Sequence, residues 1–475
     1  MNSRRVLTFA VGPIGSSALG LLTLPIITWL FTPDDVGRIS MLNIAISFCT
    51  LLFSLGLDQS YVREYHNEPS KPMLLKSVIS PGLIVLFITC TVLVLFQINL
   101  SELLFDYKSI YVSVVTVLIL FICFIIRFLS LILRMQERGM AYSFSQLIPK
   151  LMILAVIGIC YFVFNEHTFI QLLSSNFIGY FVVLILLLIL TRADCLAALS
   201  SSIDLKKIRP MLSFGYPLIL GGLAFWGLTA IDRIFIKNYA GFDQLAIFSV
   251  AVSLAGVASI LQSVFSTIWS PIVYKLERTE DGGLAVVNKV SNYMLIAVVI
   301  LFCLCGLLSW VSDYFLPVSY YEVKYLLVSC LGYPLLFTLS EATVVGIGLS
   351  RKTGYSMLAS LVAFLVNIAG NYILVPKFGA AGAAVSTCFS FWIFLILRTE
   401  FSIIIWKKIS RLEIYIFTFL CVLGASFSAL AGKLFEKELL VFWAALLFAI
   451  IARNYKLLTF DLRSYYYSAS HKKRS

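Results

Sequence analysis

A few polar side chains stand inside otherwise apolar runs, where a charge is costly and therefore informative. Arg127 lies nearly two turns inside one run, Arg134 follows seven residues later on the same helical face, and Lys150 sits about two turns into the next run. Together they read as a cationic lining suited to an anion; the competing reading is that each snorkels toward nearby lipid headgroups. Asp232 and Arg233 are neighbours in a run, pointing about 100° apart on a helix, so they do not simply neutralise each other. They read either as cavity wall or as an interfacial salt bridge. Asp58 and Arg63 fall at the end of another run, where a gate contact and a ligand contact are equally natural. Glu341 is the deepest carboxylate. It suits reversible protonation, or else pairing with a buried Arg or Lys. Asn367 and Asn371, four apart, share one helical face, which favours hydrogen bonding between helices over contact with a ligand.

The elements that position these residues follow from composition. The 475 residues are 60 % hydrophobic and only 13 % charged, with a mean hydropathy of +0.96. A soluble chain carries about a quarter charged residues. The apolar runs approach the twenty or so residues that span a hydrocarbon core and do not alternate, which excludes a β-barrel and leaves helices. The reading is an all-α polytopic membrane protein with about fourteen transmembrane helices, at 6–31, 38–60, 75–98, 108–133, 142–164, 168–190, 211–237, 244–270, 286–310, 323–349, 354–375, 380–405, 412–432 and 438–452. The net charge of +12 then reflects loop asymmetry and not nucleic-acid binding. The ten cysteines form no CxxC pair, and three histidines offer little for a metal site.

With the N-terminus placed in the cytoplasm, the inner segments hold about 26 of the 36 lysines and arginines, Arg398 counted among them, and the outer segments about seven. Both termini are therefore expected inside. Two sets of six spans share weak internal likeness. Leu7-Thr8-Phe9 with Pro13 answers Leu212-Ser213-Phe214 with Pro217, and Val36 to Ser40 answers Leu245 to Ser249. This reads as a parallel repeat: a six-helix lobe at 1–191, a cytoplasmic link at 192–210, a second six-helix lobe at 211–406 around a central cleft, two additional helices at 407–454, and a basic tail at 455–475. Pro13, Pro25 and Pro217 are expected to bend spans one and seven.

At this level the chain resembles the polysaccharide-transport branch of the multidrug/oligosaccharidyl-lipid/polysaccharide exporter superfamily, and within it the bacterial O-antigen and capsule repeat-unit flippases. The likeness is carried by Phe9 to Leu30 with Pro13 and Pro25, by Leu55 to Ser60 with Val62 to Tyr65, and by Arg134 to Arg138. It continues in Asp232 to Ile236, and is most specific in Asn367 to Pro376 followed by Phe378 to Ala384. It covers about residues 1–405. The resemblance implies export of undecaprenyl-pyrophosphate-linked oligosaccharide by alternating access, without enzymatic activity or cofactor, coupled to protons or Na⁺. It implies a bacterial inner membrane, membrane lipid as surroundings, and polymerase and chain-length proteins as partners in export. Cations such as Arg127, Lys150 and Arg233 would then meet the pyrophosphate, and Trp226, deeper in its span than the other tryptophans, would face sugar. A lipid II flippase and a cation-coupled drug exporter are the alternatives. The absence of a Walker motif and of any long outer loop argues against ATP coupling within the chain and against a polymerase or glycosyltransferase.

Overall fold

The first two helices of the computed structural model, α1 (Ser3–Leu30) and α2 (Pro33–Phe53), are separated by a turn that the local sequence dictates. The Thr32 hydroxyl accepts from the Asp35 backbone N–H, Pro33 fits the first turn, and Asp34 and Asp35 set negative charge at the positive end of the helix dipole. α2 stops where Leu55 and Gly56 both take positive φ, 52° and 66°. The structure describes residues 3–163, 167–276, 283–350 and 352–455. Arg278, Arg351 and the tail from 456 onward lie outside them.

The chain continues through α3 (Leu57–Glu64), α4 (Lys71–Leu95), α5 (Leu100–Phe105), α6 (Ile110–Met135), α7 (Gly139–Val163), α8 (Phe169–Leu190), α9 (Arg192–Ser200) and α10 (Leu205–Ala255). Then follow α11 (Ala258–Leu276), α12 (Leu284–Leu308), α13 (Val323–Cys330), α14 (Gly332–Thr343), α15 (Val345–Leu349), α16 (Gly354–Ile405), α17 (Leu412–Ala431) and α18 (Glu436–Arg453). No strand occurs among the described residues. Eleven helices there are long and apolar enough to cross a membrane. Two of these have 51 and 52 residues, about 77 Å if straight, against a hydrocarbon core of about 30 Å. Each folds back at one glycine: α10 at Gly241 (φ 84°, ψ 178°) and α16 at Gly379 (φ 53°, ψ −129°). These angles are open to glycine and strained for any residue with a Cβ. The chain is a multi-span helical membrane protein.

Two compact units are present: residues 1–254 with 315–320, and the remainder. In the first, α1 packs on α7, α7 on α8, and α6 on both α2 and α8. Its apolar core gathers Phe53, Leu57, Leu86, Phe124, Phe128 and Leu187. Compactness thus groups 205–254 with the N-terminal helices, whereas the repeat pattern divides the chain at 192–210. In the second unit, α14 packs on α16 and α12 on α18, while α17 lies against α13 and α16. The C-terminal pair α17 and α18 is held close by the buried Trp443, whose ring sits against Gly306 and Gly424, where a side chain would collide with it. Pro13 and Pro25 lie inside α1 and Pro217 inside α10, as the spans required.

Candidate functional site

Within the first unit, α1, α2 and both legs of α10 enclose a cavity of about 420 Å³. The wall is built by helical spacing. Ser40, Asn43 and Ser47 recur at three and four residues along α2; Trp226, Thr229 and Arg233 do the same on the first leg of α10, and Ser249 and Ser253 stand four apart on the second. α2 and α10 thus turn polar residues inward, while α1 contributes the apolar Leu24 and Ile27. Trp226 donates its indole N–H to Ser47 Oγ at 3.0 Å and lies against Phe48. Arg233 donates to the Thr229 carbonyl at 3.0 Å, and its guanidinium lies 5.5 Å from the Phe248 ring centre. Arg233 is the single charged residue of this wall.

On either side of the cavity, close contacts join α10 to α2 and, past the end of α2, to the turn at Gly56 and α3. At one end a Cβ on Gly37 would collide with the Phe242 carbonyl, and nearby Ser40 and Ser249 share a hydrogen bond of 2.5 Å between hydroxyls. At the other end a Cβ on Gly56 would fall 2.5 Å from the Gly215 carbonyl oxygen, and Ser60 donates to the Met211 carbonyl at 2.9 Å. Glycine is required twice over at Gly56, by the positive φ and by this approach.

The structure distributes the other sequence candidates elsewhere. Arg127 and Lys150 are absent from the cavity wall. Arg127 bonds Asp58 at 2.8 Å, so a supposed lining cation and a supposed gate carboxylate form one pair 69 residues apart in sequence, with Arg127 43 % exposed. Lys150 donates to the Ser16 carbonyl at 2.7 Å, its ammonium resting where Gly20 leaves room on α1. Asp232 is 1 % exposed and lies behind the wall that its neighbour forms. Arg63 pairs with Glu64 at 3.4 Å and covers the Phe214 ring at 4.4 Å.

In the second unit, Glu341 pairs with Arg398 at 2.8 Å. The Arg398 guanidinium also donates to Ser340 Oγ at 2.7 Å and lies within 5.4 Å of the Phe337 and Phe394 ring centres. Counting Arg398 with the cytoplasmic loop cations is therefore corrected: it is a buried helix residue, 8 % exposed. Asn367 donates to Thr387 Oγ1 on the other leg of α16 at 3.0 Å and accepts from Asn371, on its own leg, at 3.1 Å. Among the described residues no group of His, Cys, Asp and Glu is arranged to hold a metal ion. Sequence reasoning missed Ser40, Asn43, Ser47, Ser249 and Ser253. Their signal was available as neutral polar residues at helical spacing within apolar runs.

A family model described as polysaccharide biosynthesis protein matches residues 4–277, more than half of the chain and all of the cavity wall. The chain belongs to that family. It is thereby a member of the polysaccharide-synthesis branch of the exporter superfamily that the sequence resembled. An uncharacterized membrane protein of Methanocaldococcus jannaschii, MJ1068, is 23 % identical over 397 residues, 77 % of each chain. Among solved structures, a lipid II flippase MurJ in an inward closed conformation superposes with a TM-score of 0.69 at 14 % identity, covering 95 % of this chain and all of that one. A multidrug resistance MATE family transporter, inward-facing, gives 0.55 at 16 % identity, covering 82 % of this chain and 94 % of that one. At such identities these two establish a shared fold.

Proposed function

We propose that this protein is a flippase carrying undecaprenyl-pyrophosphate-linked oligosaccharide repeat units from the inner to the outer leaflet of a bacterial inner membrane. The observation that carries the reading is the cavity with hydroxyls, an amide and one guanidinium in its wall, flanked on both sides by close glycine contacts with α10. A guanidinium suits a phosphoryl oxygen through paired hydrogen bonds, while hydroxyls, an amide and an indole suit sugar. Parting of one glycine contact at a time would admit the headgroup from one side and release it on the other, as alternating access requires. The lipid tail stays in the bilayer throughout. In this reading the Gly56 end faces the cytoplasm, both termini lie inside, the spans number fourteen, and the two lobes divide at 192–210. Coupling runs through protons or Na⁺, with Glu341 and the Asn367–Asn371 pair as candidate groups, and Asp58–Arg127 steadies the inner gate. Polymerase and chain-length proteins would receive the exported unit.

The fold shared with MurJ favours lipid II as the rival cargo, since the same cavity chemistry serves either pyrophosphate. Purified protein in liposomes, given a fluorescent undecaprenyl-pyrophosphate oligosaccharide, is expected to move it across the bilayer, and Arg233→Gln to slow that movement about ten- to a hundredfold. Transport of lipid II but of no oligosaccharide-linked lipid would assign the rival. Efflux of cationic dyes with neither lipid moved would place the chain among drug exporters.

A further inference from the structure

A second polar cavity lies in the other unit and takes no part in the transport reading. It measures about 350 Å³ and opens where α12 begins, the segment 406–411 passes and α17 starts. Asn288, Lys289, Asn292, Tyr293, Ser410 and Glu413 line it. Bonding within the wall sorts these groups into donors and acceptors. Asn288 Oδ1 accepts from the Ser410 backbone N–H at 3.0 Å, which leaves the Asn288 amide NH₂ available as a donor. Asn292 Nδ2 donates to Asn454 Oδ1 at 3.4 Å, which leaves the Asn292 carbonyl as an acceptor. Glu413 is neutralised by Arg453, which bonds it through two nitrogens. Lys289, exposed, lies 5.6 Å from the Tyr293 ring centre and has no ion pair among the described residues. The wall therefore carries net positive charge, with an ammonium, an amide and a hydroxyl able to meet an oxyanion and a carbonyl able to meet a hydroxyl.

The surroundings indicate what bears the oxyanion. Leu295 and Ile414 form the apolar side of the cavity. α12 and α17 both begin at this cavity, and both are long and apolar enough to cross a membrane. That sets the cavity at the depth of lipid headgroups, with acyl chains beside the helices below it. We propose that this cavity is a binding site for the headgroup of an anionic glycerophospholipid, its phosphate at Lys289 and Asn288, its glycerol hydroxyls at Asn292, and its chains beside α12 and α17. Basic pockets between transmembrane helices are a known way of holding such headgroups. The lipid would bridge α12 and α17 and so brace the C-terminal helix pair, independently of any cargo.

The test is lipid retention by the full chain, purified in detergent and examined by native mass spectrometry with phosphatidylglycerol, phosphatidylcholine or glycerol 3-phosphate added. Phosphatidylglycerol is expected to be retained about tenfold over phosphatidylcholine, the size of one charge-assisted hydrogen bond. Lys289→Gln should bring the two to parity, and Lys289→Arg should keep the preference. Asn292→Leu supplies a second variant should Lys289→Gln fail to fold, and it is expected to weaken phosphatidylglycerol retention while leaving phosphatidylcholine unchanged. Equal retention of the two lipids by the unaltered chain, or an undiminished preference in Lys289→Gln, would overturn the site. Saturating binding of glycerol 3-phosphate that displaces no lipid would overturn the assignment to lipid.

Discussion

The helices α10 and α16 are nearly equal in length, and each folds back at a single glycine of positive φ, yet their polar residues face opposite ways. In α16 the two legs are zipped together. Asn367 bonds Thr387, Ser386 donates to the Asn367 carbonyl at 3.0 Å, and Gly370 and Gly382 admit Ser386 and the Leu374 carbonyl closely enough to exclude a side chain. In α10 the legs turn Trp226, Thr229, Arg233, Ser249 and Ser253 toward α2, and a cavity opens among them. Polar groups bonded within a hairpin make it one rigid piece. In α10 they line the cavity instead, and Trp226 and Ser249 bond Ser47 and Ser40 of α2 across it. The comparison teaches that one architecture bonds its legs to each other in one unit and lines a cavity in the other.

Gly56→Val should disturb the packing beside the cavity most completely. A β-branched residue is strained at φ 66°, and its Cβ would collide with Gly215. Transport is expected to fall about a hundredfold, given the several kcal/mol that backbone strain and overpacking cost together. A cysteine at Asn43, in a chain whose ten native cysteines are replaced, would report the change. It should become open to a membrane-impermeant maleimide from the Gly56 side, while Gly37→Val opens it from the opposite side. Labelling from the same side in both variants would refute the two-gate picture.

Arg233→Gln comes next, with transport reduced about ten- to a hundredfold, the span expected for charge-assisted hydrogen bonds. Thermal stability should change little, because the site faces a cavity. Asn367→Leu should do the reverse. It removes the side chain that bonds both Thr387 and Asn371 in a buried network, so about 1–2 kcal/mol of stability is lost. If instead Asn367→Leu left stability intact and abolished ion-dependent transport alone, α16 would prove to be a working element and the contrast with α10 would fail.

Helix type and multi-span membrane character were legible because hydrophobic thickness imposes run length before any tertiary contact forms. So was the shared helical face of Asn367 and Asn371, since four-residue spacing is a local property. The partners of Arg127 and Glu341 were not legible. Asp58 lies 69 residues from Arg127, and Arg398 lies 57 from Glu341, so only packing could join them. Arg398 was misread because an arginine near a run's end resembles a loop cation until neighbouring Phe337 and Phe394 are seen to enclose it. The cavity wall was hidden for another reason. A serine at helical spacing looks the same whether it back-bonds its own helix or faces water, and that choice depends on the helix opposite.

The smallest effect concerns how the second unit holds α18 to its neighbours. Glu436, at the first turn of that helix, accepts from the Tyr325 hydroxyl and pairs with Lys324 at 3.2 Å, and Lys324 also bonds Asp313 at 3.2 Å. The Tyr325 hydrogen bond, helped by Lys324 against a burial penalty, holds the Glu436 carboxyl below its ordinary value of 4.5. A carboxylate depressed on folding contributes stability that is complete above its unfolded value and lost as pH falls through its folded one. Glu436→Gln should therefore lower the melting temperature slightly and by a constant amount from neutral pH down to about pH 5, with the difference from the unaltered chain closing only in stronger acid. A difference that closes already between pH 7 and 6 would mean that Glu436 is not the group holding the hairpin. The brace would then lie in the uncharged packing of Trp443 against Gly306 and Gly424, which no change of pH can loosen.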